Sequence, residues 1–241
     1  MRPGCITLLV CVLACAACHR GPVLPGSSSR ATGVYHTVKK GQTLWRICHT
    51  YKVSMQDVAE LNNITDHSQI RSGDRLFIPG ADRVLYVPST ASAPSGSGSR
   101  QRGGGTPEPS APVIEKNVGM FIWPLIGPVV KRFGIHGGLK HDGIDIKGRA
   151  HADVRASRSG TVIFAAWLEG YGNTVIVQHT TSYVTVYANL GASTVRQDQQ
   201  VKQAQVLGRL AAGPADACYL HFQVRRDRKA RNPLFYLPKA R

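Results

Sequence analysis

Residues 89–112 contain 6 Ser, 5 Gly and 4 Pro in 24 positions, with hardly any large apolar side chain. A stretch of that kind buries too little surface to offset the entropy of ordering its backbone, so it predicts a tether. The tether is drawn over 80–118, where a flexible chain has an r.m.s. span of about 35 Å. It divides the 241 residues into two folded units, 35–79 and 119–241, with a shorter tether at 18–34.

The N-terminus opens with a basic residue, runs apolar from Cys5 to Ala17 and meets Cys18 after two alanines. This reads as a secretory signal at 1–17, too short for an ordinary membrane-spanning helix. Ala16-Ala17-Cys18 resembles a bacterial lipobox, which implies lipidation at Cys18 and anchoring to a membrane. Val12-Leu13-Ala14-Cys15 competes with it, and plain secretion is the simpler alternative. Four of the six cysteines lie in this segment. Cys48 and Cys218 fall in different units, so each is expected as a small buried apolar residue rather than half of a disulfide.

In the first unit, Val38, Leu44 and Ile47 are apolar anchors. Gln42-Thr43 opens a helix that ends near Val53. Ser54 then caps a second helix carrying Val58 and Leu61, stopped at Asn62-Asn63. Ile70 to Pro79 supplies a turn and a short strand. The expected order is β-α-α-β.

Tyr35-x-x-Val38, Gly41-x-Thr43-Leu44, Leu61-Asn62, Gly73, Leu76 and Ile78-Pro79 together resemble the LysM module over its whole length. The resemblance implies binding of N-acetylglucosamine-containing glycan, chiefly peptidoglycan. Carried onto this chain, the groove would lie between Gly41-Gln42-Thr43 and the loop holding Ile70 and Ser72. Asn62 reads better as a helix cap than as a sugar contact, and Trp45 is open between a stacking surface and a half-buried anchor.

From Met120 onward, β-branched and aromatic runs at 154–156, 161–166, 174–179, 183–187 and 219–225 alternate with turn residues. They predict an antiparallel β domain, making the chain mainly β with a small α+β module. Trp123-Pro124, His141-x-Gly143-Ile144-Asp145, Gly170-Tyr171-Gly172-Asn173, Leu220-His221-Phe222 and Asn232-Pro233 resemble the lysostaphin/LytM family of zinc endopeptidases. That resemblance implies one Zn²⁺ held by His141, Asp145 and His221, an open set of two imidazoles and a carboxylate. The bland alternative makes His221 a core residue and His141 a loop residue.

The family's two catalytic histidines are replaced, by Asn189 in Tyr187-Ala188-Asn189 and by Tyr219 in Tyr219-Leu220-His221. Asn cannot act as a base near neutral pH, and each lost acid–base group removes roughly 10²–10⁴-fold in rate. Tyr219 could still donate to an oxyanion, and His136, His151 or His179 could reach the attacking water. Solvated-loop roles for the first two and a strand-end structural role for His179 are preferred. LysM, a tether and a degenerate LytM domain on a lipoprotein resemble the NlpD-type murein hydrolase activators. This implies a regulator of a cell-wall amidase or other hydrolase in peptidoglycan remodelling and division. A zinc endopeptidase cutting peptide cross-links is the alternative, and a wall-binding adhesion lipoprotein is a third reading.

The formal charge of +16 makes an anionic partner expected. Residues 35–79 carry 6 basic and 4 acidic side chains, whereas 119–241 carry 17 and 7, with five basic residues between Arg225 and Arg231. A secretory signal and a glycan module place the chain in the cell envelope. Wall polymers or an acidic protein surface are then expected there, and nucleic acid is not.

Overall fold

The computed structural model describes residues 28–89, 113–213 and 218–239. The signal segment with Cys18, and the tether from 90 to 112, lie outside the described residues. Strand β1 (Ser28–Arg30) precedes the first unit, which runs β2 (Gly33–Thr37), α1 (Leu44–Tyr51), α2 (Met55–Leu61) and β3 (Arg75–Pro79). Strands β2 and β3 pair antiparallel, Tyr35 opposite Phe77. Both helices start where short polar side chains can accept an unpaired backbone N–H. Thr43 accepts from Arg46 N and Ser54 from Asp57 N. The first helix stops at Lys52, which takes the left-handed conformation at φ 55°. Leu44, Ile47, Val58 and Ile78 close the core beneath them.

Asn62 behaves as a brace. Its side-chain nitrogen donates to Val58 O and Phe77 O, and its oxygen accepts from Phe77 N. The helix pair is thereby stitched to β3. Trp45 is half-buried and stacks on His49 at 4.9 Å.

The second unit is built of β4 (Val129–Lys131), β5 (Gly134–His136), β6 (Leu139–His141), β7 (Ile144–Lys147), β8 (Asp153–Arg155) and β9 (Gly160–Leu168), followed by β10 (Gly172–Gln178), β11 (Tyr183–Ser193), β12 (Gln200–Val201), β13 (Val206–Leu210), β14 (Tyr219–Arg226) and β15 (Lys229–Arg231). Its main sheet runs β12-β9-β10-β11-β14-β7-β4, with every pairing antiparallel. Central strands β10, β11 and β14 carry Val175, Val177, Tyr187, Phe222 and Val224 into the core. Among the described residues no helix is long and apolar enough to cross a membrane. Cys48 and Cys218 are free and buried, and burial pushes the Cys48 thiol up to about 12.

Three stretches expected as tether are held against the folded units. Strand β1 pairs with β6, Ser28 opposite His141. Val87 is buried against the first unit, and Leu85 N donates to the Tyr51 hydroxyl. Glu115 exchanges hydrogen bonds with Gln56 across the two units and pairs with Arg226 at 3.0 Å. Polar composition predicts that a segment lacks its own core. It leaves open whether backbone groups and a few apolar side chains find partners elsewhere.

The basic run at 225–231 also differs from a solvated cluster. Arg231 pairs with Asp57 and Glu60, each at 2.8 Å, and Lys229 pairs with Asp57. Asn232 donates from its backbone to Glu60 Oε2 and from its side chain to Glu60 O and Asn63 Oδ1. Helix α2 of the first unit therefore neutralises part of the charge of the second.

Candidate metal centre

The site forms because β7 and β14 are neighbours in register, with Asp145 opposite His221. Strand β6 ends at His141, and the chain turns through Asp142-Gly143 into β7. A Cβ on Gly143 would lie 2.4 Å from Phe222 O, so only glycine lets this turn lie against β14. That close approach brings His141 to the other two residues. The ligand atoms of His141, Asp145 and His221 all fall within 4.8 Å of one another, and all three residues are buried.

Asp145 Oδ1 lies 2.7 Å from His221 Nδ1 and 3.3 Å from His141 Nε2. Burial by itself would raise the Asp145 pKa, but the two imidazoles around the carboxylate outweigh it and hold the group at about 2. His141 is 4% exposed, yet neither of its ring nitrogens has a hydrogen-bond partner among the described residues. Its Nε2 is near the carboxylate but off the line of a hydrogen bond. His141 lines the groove above the triad, where its ring nitrogens are available to a ligand. Convergent nitrogen and oxygen lone pairs around one point suit a divalent metal such as zinc, so this donor set fits one.

A groove of about 410 Å³ opens over the triad, lined also by Lys131, Trp167, Gly170, Tyr171, Gly172, Asn189 and Tyr219. Asn189 sits where the pairing of β11 with β10 shifts register, and it takes φ 65°. The irregularity turns its side chain toward β14, where Nδ2 donates to Tyr219 O at 2.8 Å. Its backbone N donates to Tyr171 O. Asn189 and Tyr219 are thus bonded to each other, side chain to backbone. Tyr187 is different in kind. It is fully buried, and its hydroxyl accepts from Ser157 N at 2.8 Å.

Of the three spare histidines, His136 comes nearest, its ring 6.1 Å from that of His141, with Nε2 2.7 Å from Arg132 O. His179 lies between Ser159 O and the Thr185 hydroxyl, outside the groove lining. His151 sits exposed in a turn at φ 61°.

In the first unit, the amide of Gln42 is held at both ends. Its Oε1 accepts from Lys39 N and faces His36 Nε2, while its Nε2 donates to Val87 O. Only 8% exposed, Gln42 braces the turn before α1 from within. Thr43 is the cap of α1 and Gly41 takes φ 80° in the turn before it. Ile70 is half-buried and Ser72 exposed.

The full-length pattern decides the family. The sequence model of Peptidase family M23 matches residues 139–233, and that of the LysM domain matches 36–79. The uncharacterized lipoprotein YgeR of Escherichia coli is 33% identical over 242 residues, spanning 98% of this chain and 92% of that protein. The lipoprotein NlpD/LppB homolog of Pseudomonas aeruginosa is 30% identical, over 93% of this chain and 81% of its own length.

The chain belongs to the NlpD/YgeR family of lipoproteins.

The murein hydrolase activator NlpD of Escherichia coli is 28% identical over 91% of this chain and 71% of its own. Motif spacing missed one residue near the triad of this NlpD/YgeR chain. Gln223 is fully buried, with its amide nitrogen 3.0 Å from His221 Nε2. The signal was present in the alternation of a strand, since Tyr219, His221, Gln223 and Arg225 share one face of β14.

Proposed function

We propose that this NlpD/YgeR-family lipoprotein binds peptidoglycan through its LysM unit and uses its M23 groove to regulate or activate a cell-wall hydrolase. It does so from the cell envelope, held at a membrane by lipid on Cys18. The observation that carries this reading is the groove lining. Among the described residues, the histidines lining it are His141 and His221, and with both serving as metal ligands neither would be left to take a proton from water. Asn189 and Tyr219 occupy the positions from which a base would act, and Asn189 is bonded into the backbone of Tyr219. Loss of two acid–base groups removes nearly all turnover on the usual magnitudes.

His141, Asp145 and His221 are the residues that would hold one zinc ion. When bound, the ion would supply Lewis acidity and a rigid cross-link between β6, β7 and β14. The surrounding side chains shape and orient whatever enters the groove. Trp167, 70% exposed, offers an apolar face at the rim, and Lys131 offers a positive charge. Glycan recognition in the LysM unit falls to the Gly41–Thr43 turn and the loop of Ile70 and Ser72, without the side chain of Gln42.

The intact triad keeps a second reading in play, a zinc endopeptidase that cuts peptide cross-links. Incubation of the mature protein with purified peptidoglycan and zinc separates the two. The expected result is no released peptide from the protein alone and faster glycan–peptide cleavage when an amidase is added. Release of cross-link fragments that stops in His221→Ala would overturn the regulator reading.

A further inference from the structure

Gln223 is fully buried, and both ends of its amide are engaged. Arg225 Nη1 lies 3.0 Å from its Oε1, and its Nε2 lies 3.0 Å from His221 Nε2 and 3.2 Å from the Tyr171 hydroxyl. A guanidinium only donates hydrogen bonds, so the end of the amide facing Arg225 must be its oxygen. The orientation of the amide therefore follows from chemistry, which otherwise leaves such ends interchangeable. Arg225 is itself fixed, 8% exposed and donating through Nη2 to Arg228 O at 2.7 Å.

The amide nitrogen of Gln223 also only donates. The His221 Nε2 that it meets must then present a lone pair, which puts the ring hydrogen on Nδ1. There Asp145 Oδ1 accepts it at 2.7 Å. This tautomer occupies the two atoms that the triad would turn toward a metal.

A metal held on the Asp145 side of His221 needs the opposite tautomer, with the lone pair on Nδ1 and the hydrogen on Nε2. Ligating histidines commonly give that outer N–H to a carboxylate or carbonyl, which fixes the ring for the metal. In this chain it would meet the NH₂ of Gln223, donor against donor. Turning the amide over would only move the conflict to Arg225.

We propose that Gln223, held by Arg225, is a positioning residue that locks His221 in the Nδ1–H tautomer and so keeps the zinc affinity of the triad low. The cluster then persists as a hydrogen-bonded unit, and zinc must displace a proton arrangement that Gln223 and Arg225 favour. This rests on His141, Asp145 and His221 being the ligand set.

Two measurements on the full mature chain test it. Two-bond proton–nitrogen NMR spectra of the metal-free protein report which nitrogen of His221 carries hydrogen. Competition with a chromophoric chelator at neutral pH reports zinc affinity. The wild type is expected to show the Nδ1–H form. Gln223→Glu, whose carboxylate can accept from both Nε2–H and Arg225, is expected to show the Nε2–H form and bind zinc roughly 10–100-fold tighter. Gln223→Met, which has no donor and adds no charge, is expected to tighten binding in the same direction. An Nε2–H tautomer in the wild type overturns the proposal, as does unchanged or weaker affinity in both variants. Tighter binding in Gln223→Glu without a change of tautomer marks a charge effect and also overturns it. Zinc binding that survives His221→Ala would instead defeat the ligand assignment, while the spectra still decide the lock.

Discussion

Arg231 of the C-terminal unit reaches Glu60 of the LysM unit at 2.8 Å, and the Glu60 side chain is 3% exposed. Burial raises the Glu60 pKa, opposed by hydrogen bonds from Gln56 and the Asn232 backbone and by the charge of Arg231. The two units are thus joined through a buried polar contact. Part of the charge that looked available to an external polyanion is already matched within the chain.

Removing one partner of a buried pair leaves the other charge uncompensated. Arg231→Ala is expected to destabilise the protein by about 3–5 kcal/mol in denaturant unfolding near neutral pH. A carboxyl with a raised native pKa stabilises the fold at low pH and loses that contribution as pH rises through the native value. The Arg231→Ala penalty should therefore shrink on acidification, once Glu60 can be buried in its neutral form. A penalty independent of pH would show that packing, rather than charge, dominates.

Gln42 and Ser72 should separate structure from recognition in the LysM unit. Gln42→Ala strips partners from Lys39 N, His36 and Val87 O, and is expected to cost about 1–3 kcal/mol of stability. Ser72 is exposed, so Ser72→Ala should leave thermal unfolding unchanged and weaken peptidoglycan pull-down. The opposite pattern would return Gln42 to the binding surface.

His179 makes a pH signature of its own. Burial lowers its pKa, and Arg158 adds to this, against the hydrogen bond with Ser159 O. A depressed native pKa means the stability is fully present above the ordinary value of 6.5 and is lost as pH falls through the native value. Wild-type stability should drop on acidification below 6.5, and His179→Gln should flatten that slope. Denaturant midpoints taken across this range check it.

Restoring the replaced pair is the direct test of the groove. Asn189→His with Tyr219→His is expected to release peptide fragments from zinc-supplemented peptidoglycan, where the wild type releases none. Each single variant should recover far less, because the two groups act as one unit. Absence of cleavage in a folded, zinc-binding double variant would show that the groove lacks more than its base.

The helices of the LysM unit were legible because their causes are local. Thr43 and Ser54 cap the helices they precede, and the apolar spacing of Leu44, Ile47, Val58 and Leu61 places one face inward. The candidate triad came instead from the resemblance to the LytM family, whose His-x-x-x-Asp spacing His141 and Asp145 match. His221 needed the register of β14 against β7 to meet them.

By itself, the sequence determined the mainly β class with a small α+β module and the helices of the first unit, since periodicity and caps act over a few positions; the candidate ligands and the two replaced histidines are expectations that the family resemblance carries. Only the tertiary structure decided which polar groups face each other. It placed Gln42 inside, tied the basic run to Asp57 and Glu60, folded the ends of the tether onto the domains and set Gln223 against His221. The physical reason is that charges and amides take their partners from whatever the fold brings within about 3 Å, often from residues far away in the chain. No local pattern encodes that choice.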